Sequence, residues 1–162
     1  MRIERISEKF DIDVGAPTPT ILSNEHNLYL IFYVSKVDPN WNGKTIHMRT
    51  EEDEGIVTIK FDRFAQFKFG NPNDEAISGH PLYKLGLEPY SIQKVIDSEW
   101  IKELIKMNSV HPYHKNEHFS KYEHFIFFFH DTCFEIAAEG YTILENSEIN
   151  MRDEIQRIGK IL

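Results

Sequence analysis

One cysteine in 162 residues leaves no partner for an intramolecular disulfide, and it excludes both a disulfide scaffold and a zinc cage built from thiolates. Cationic residues are also few: 18 Lys and Arg stand against 26 Asp and Glu, a formal net charge of −8 with eight His counted neutral. A broad nucleic-acid surface, which needs clustered cations, is therefore not expected. Long apolar runs are missing as well. The longest, Leu28–Val34 (LYLIFYV), falls far short of the ~20 residues of a membrane-spanning helix. The first residues, MRIERISEKFDIDV, lack the apolar stretch of a signal peptide, and no Asn-x-Ser/Thr acceptor occurs. These absences lead to an expectation of a cytoplasmic protein with neither a membrane nor a nucleic acid as partner. Neither G-x-G-x-x-G nor G-x4-G-K-S/T is present to cradle a phosphate, and no G-x-S-x-G elbow presents a serine nucleophile.

What is present is globular in kind. The chain is 41% apolar and 13% aromatic, enough to bury a core, and its length suits one domain over 1–162. No linker or solenoid repeat interrupts it; Gly15–Thr20, with two prolines, reads as a stiff loop. Glu51–Glu54 reads as a solvated acidic turn. Strand patterns occur at His26–Val34, apolar on both faces, and at Ile56–Phe61, Phe64–Phe69 and Tyr90–Ile96. Asp62-Arg63 reads as a bulge or tight connection, and Tyr122–His130 with Cys133–Ile143 as a hairpin. Ser98 can cap a helix running to about Met107, whose stripe is Trp100, Ile101, Leu104 and Ile105. Ser147 can cap a C-terminal helix through Met151, Ile155, Ile158 and Leu162. Short helical turns fit Asn73–Ser78, closed by Gly79, and Pro81–Leu85, closed by Gly86. The sum is an α+β fold: a mostly antiparallel β-sheet with two main helices on one face.

The stretch YEHFIFFFHDTCFEIAAEGYTI carries the most information. Alternation puts Phe125, Phe127 and Phe129 on one face and Tyr122, His124, Ile126, Phe128 and His130 on the other. A two-residue loop at Asp131-Thr132 sets His130 opposite Cys133, Phe128 opposite Glu135, Ile126 opposite Ala137 and His124 opposite Glu139. Asp-Thr is not a favoured tight-turn pair, and a longer loop changes the pairing while leaving each strand's own alternation intact. His124, His130, Cys133, Glu135, Glu139 and Tyr141 then share a face. It reads either as a half-exposed sheet surface with cross-strand His–Glu pairs or as the floor of a polar pocket able to bind a metal or move protons.

Three further histidines, His111, His114 and His118, follow the Trp100 helix in NSVHPYHKNEHF. Imidazoles spaced this closely are candidate divalent-metal ligands. Against that, Pro112 discourages a helix and Lys115 stands where an HExxH motif has its Glu, so a polar surface loop is the plainer reading. His80 lies in the polar loop Gly70–Leu82, too close in sequence to Ser78 for a hydrolase pair to be assumed. Cys133 beside His130 resembles a Cys–His pair, though an ordinary buried thiol accounts for it as well. The candidate polar pocket is thus His80, His111, His114, His124, His130, Glu135 and Glu139.

Three blocks, FGNPNDEAISGHPLYKLGLEPY, WIKELIKMNSVHPYH and HFIFFFHDTCFEIAAEG, resemble segments of a family of uncharacterised small bacterial proteins over about Val14–Ile143. The resemblance implies a stand-alone small cytosolic protein and brings no activity, cofactor or catalytic residue. A hydroxyl residue stands in the family pattern where this chain has Cys133. The functional expectation is a soluble non-enzymatic domain that binds a small molecule or protein through a polar His/Glu face, with no cofactor. The alternatives are a small hydrolase or lyase using His and Glu, with or without a divalent metal, and an acidic inhibitor-type partner of a basic protein.

Overall fold

The computed structural model describes residues 1–35, 55–144 and 149–162. The acidic cluster Glu51–Glu54 and the expected cap Ser147 lie outside them. Eight strands, β1 (Arg2–Ile6), β2 (Asp11–Ile12), β3 (Thr20–Ser23), β4 (Leu28–Ser35), β5 (Gly55–Gly70), β6 (Ser91–Ile96), β7 (Glu123–Phe128) and β8 (Cys133–Leu144), form one sheet. Its order is β1-β6-β7-β8-β5-β4-β2, with β3 also on β4, and every pairing is antiparallel. Helices α1 (Glu99–Asn108) and α2 (Met151–Gly159) complete the α+β fold. No helix among the described residues is long and apolar enough to cross a membrane.

The sheet curls until its two ends approach each other. Leu30, Phe32, Ile59, Phe61, Phe127, Phe134 and Ile136 pack into one buried cluster on the inner face. Phe32 of β4 meets Phe127 of β7 with ring centroids 6.5 Å apart, although β5 and β8 stand between those strands in the sheet. A flat sheet cannot make that contact. Connectivity points the same way. β1 ends one edge and β2 the other, yet only Ser7–Phe10 joins them. Such a link reaches at most ~17 Å, so it bridges the seam of an open barrel.

The curl is written into two irregularities of β5. Phe61, Phe64 and Phe67 all contact the inner core, a spacing of three that strict alternation forbids. Arg63 sits at φ +40, and the register slips between Phe64 and Gln66. These bulges bend the strand and return each Phe inward. The expected break at Asp62-Arg63 is therefore a kink inside one continuous strand.

Both helices cover the outer face. α1 lays Trp100 and Leu104 over Ala137, with Ser98 accepting a hydrogen bond from Ile101 N–H as its N-cap. α2 seats Ile158 on Tyr29, Ile31 and Ile56. Its cap is Asn150, which accepts from Asp153 N–H, so the expectation of a Ser147 cap is corrected. Within α2 the buried Glu154 carboxylate accepts from Thr58 (2.6 Å) and from two Arg157 nitrogens (both 2.7 Å). Short 3-10 turns at Asp74–Gly79 and Tyr83–Leu85 cover the rest. The second ends on Gly86 at φ +94, a conformation open to glycine at little cost.

Candidate functional site

β7 and β8 are joined by four residues, Phe129–Thr132, closed by Phe129 N–H donating to Thr132 C=O at 2.9 Å. The two-residue loop is thus corrected, and the pairing moves with it. Phe128 lies opposite Cys133, Ile126 opposite Glu135 and His124 opposite Ala137. Within-strand alternation survives this shift, so His124 and Glu135 still project from the outer face as diagonal neighbours.

There they form a closed network. His124 is 2% exposed and the Glu135 side chain 12%. His124 Nε2 donates to Glu135 Oε2 at 2.9 Å, and the other ring nitrogen, Nδ1, lies 2.9 Å from Ser98 Oγ. The α1 cap hydroxyl is therefore bonded to the sheet histidine. His80 approaches from the turn between the two 3-10 segments. Its Nδ1 accepts from Leu82 N–H at 3.1 Å, which fixes the proton of the neutral ring on Nε2, 3.6 Å from Glu135 Oε1. Lys68 Nζ stands 3.7 Å from the same oxygen and 3.9 Å above the Trp100 ring. Trp100 packs edgewise on His124 and donates Nε1–H to Gln66 at 2.9 Å. Burial pushes the Glu135 carboxyl up, but the facing N–H groups of His124 and His80, helped by Lys68, outweigh it and hold it well below the usual carboxylate range. Each polar group here is met by another protein group, as a buried network requires.

The remaining sequence candidates separate. His130 sits in the four-residue loop with Asp74 and Tyr90. The Tyr90 hydroxyl hydrogen-bonds the Asp74 carboxylate, and His130 Nδ1 lies 2.7 Å from Tyr90 Oη and 3.0 Å from Asp74 Oδ2. With two acceptors on the Nδ1 side, Nε2 is left as the ring's acceptor nitrogen, on a side chain that is 41% exposed. The Tyr90 bond lowers the Asp74 carboxyl against a smaller rise from desolvation. Burial, then Asp74, pushes the Tyr90 phenol up to about 12. Glu139 pairs with Arg63 at 3.8 Å, and Tyr141 turns inward onto Phe61, Phe125 and Phe127. His111 accepts from Tyr113 N–H, and His114 bonds Asn108 and Asn116; His118 is exposed in the 3-10 turn Asn116–His118. Among the described residues no group of three or more His, Cys, Asp or Glu is placed to hold a metal ion. Cys133 packs with Leu82, Val95, Ile126 and Phe128 rather than against His130, and burial pushes its thiol far up.

Sequence reasoning missed a further feature, a cleft of about 140 Å³ at the barrel seam, lined by Arg5–Glu8, by Phe10–Ile12 and by Tyr90–Ile92. No local pattern signals it, because its walls meet only when β1 pairs with β6 and Ser7–Phe10 crosses to β2. No family model, no curated protein and no solved structure matches the chain.

Proposed function

We propose that the chain is a cytoplasmic, non-enzymatic binding domain whose ligand site is the seam cleft, with the His/Glu face serving as internal scaffolding. One observation carries the reading. The groups able to do chemistry on that face are occupied by protein: His124 is bonded to Glu135 and Ser98 beneath Trp100, and His80, which accepts from Leu82 N–H, faces Glu135 at 3.6 Å; the cleft opens elsewhere, at the seam. The single buried thiol suits a reducing compartment.

The test is an NMR titration of the full chain with a panel of small polar compounds. Expected are amide shifts centred on Arg5–Ile12 and Tyr90–Ile92, with every compound recovered unchanged. Conversion of a bound compound, or shifts centred on His80, His124 and Glu135, would overturn the reading.

A specific observation favours a second, enzymatic reading. His130, oriented through Nδ1 by Asp74 and Tyr90, keeps Nε2 as an acceptor on a part-exposed side chain, the arrangement of a general base. It predicts hydrolysis of an activated ester that His130→Gln and Asp74→Asn both abolish; hydrolysis unaffected by either removes it.

A further inference from the structure

We propose that the seam cleft takes a small zwitterion, a molecule of about six heavy atoms that carries one carboxylate and one ammonium group. The inference rests on the binding reading above and specifies the ligand of that same site.

Size comes first. An apolar cavity of about 150 Å³ is known to hold benzene, so 140 Å³ suits a ligand of about that size. Charge comes second. Arg5 brings a guanidinium with five N–H donors, of which one is given to Glu88 at 3.0 Å. Both partners of that pair are more than half exposed, so it is weak and leaves a face of the guanidinium open for a carboxylate. Across the link, Glu8 is held in place by the Tyr141 hydroxyl, which donates to its Oε1 at 2.6 Å. Among the described residues its Oε2 has no hydrogen-bond partner, and neither has the Asp11 carboxylate. Both acceptors lie on the wall of the cleft. The cleft borders the core, since Ile6, Phe10, Ile12 and Ile92, which line it, belong to the inner cluster or pack against it.

A simple anion fits this lining poorly, because Glu8 and Asp11 repel it. A simple cation leaves Arg5 unmatched. A zwitterion satisfies both signs within one small ligand. Charge-assisted hydrogen bonds at each end are the stronger kind. The anchoring of Glu8 by Tyr141 also lowers the ordering cost of binding.

Calorimetric and NMR titrations of the full chain with L-alanine, propionate and ethylamine test this, since the last two lack one charged end each. Alanine is expected to shift amides at Arg5–Ile12 and to bind at least about tenfold more tightly than either single-charge analogue. Arg5→Gln should bring alanine down to the level of ethylamine, and Glu8→Gln down to the level of propionate. Both side chains are at least partly exposed, and unchanged circular dichroism would confirm that the variants fold. Propionate or ethylamine binding as tightly as alanine overturns the zwitterion. So does a panel in which other compounds shift these amides and alanine does not, and in that case the binding reading itself stands. If nothing in a broad panel shifts them, both fail together.

Discussion

At the scale of single residues, Glu135 decides how the outer face behaves. Its carboxylate accepts from His124 and faces His80 and Lys68, so Glu135→Gln removes a buried charge that its neighbours are arranged to meet. The expected loss is roughly 2–4 kcal/mol at neutral pH, read by urea denaturation. The effect depends on pH with a definite sign. The folded-state carboxyl lies below its unfolded value of about 4.3. Its contribution is therefore complete above that value and is lost as pH falls through the folded one. The stability gap between the native protein and Glu135→Gln should be widest above about pH 5 and narrow steadily on acidification; a gap independent of pH would contradict the network. Cys133 supplies a second check. It is buried with its thiol pushed up, so a disulfide reagent at pH 8 should label it at the rate of unfolding, and urea should accelerate labelling in step with loss of structure.

At the scale of elements, α2 is held by more than its apolar stripe. Glu154 ties the helix to Thr58 of β5 and to its own Arg157. Thr58→Val leaves a buried carboxylate short of one donor and should cost about 1–3 kcal/mol, while Arg157→Gln takes two charge-assisted donors and a countercharge from a carboxylate with no exposure and should cost more; reversal of that order in thermal melts would contradict the assignment. The same scale shows what the sequence made legible. The β7–β8 hairpin was readable because period-two alternation survives any loop length, so His124 and Glu135 kept their shared face when the pairing moved by two residues. Their exact partners were not readable, since those depend on Phe129–Thr132 closing a four-residue loop. β1 was invisible for a different reason. Ile3 packs on the outer cluster and Ile6 on the inner one, so RIERI never shows the repeat of a strand with one buried face. Tyr90 read as part of β6, but at φ +52 it turns out of the strand and meets Asp74 and His130.

At the scale of the whole molecule, the α+β class followed from patterning, whereas the open barrel did not. Curl comes from bulges in β5 and from the pairing of β1 with β6, and neither is a local property. Phe32 marks the consequence, since it touches Phe10, Phe127 and Phe129 from across the core. Phe32→Ala should cost roughly 3–5 kcal/mol. Its amide-exchange signature should include faster exchange in β7, on the far wall, as well as in neighbouring β5.

The link Ser7–Phe10 has a kinetic consequence. β1 is made early in the chain, yet its partner β6 comes only after β2, β3, β4 and β5. Loop-closure entropy over that distance must be met before any β1–β6 contact compensates it. Seam closure thus belongs to the late side of the folding barrier. Among the described strands β1 pairs only with β6, so its loss leaves the other ladders intact, and amide exchange should show Arg2–Ile6 opening before the central strands. If the seam cleft is the ligand site proposed above, ligand off-rates should track the opening of β1 rather than global unfolding.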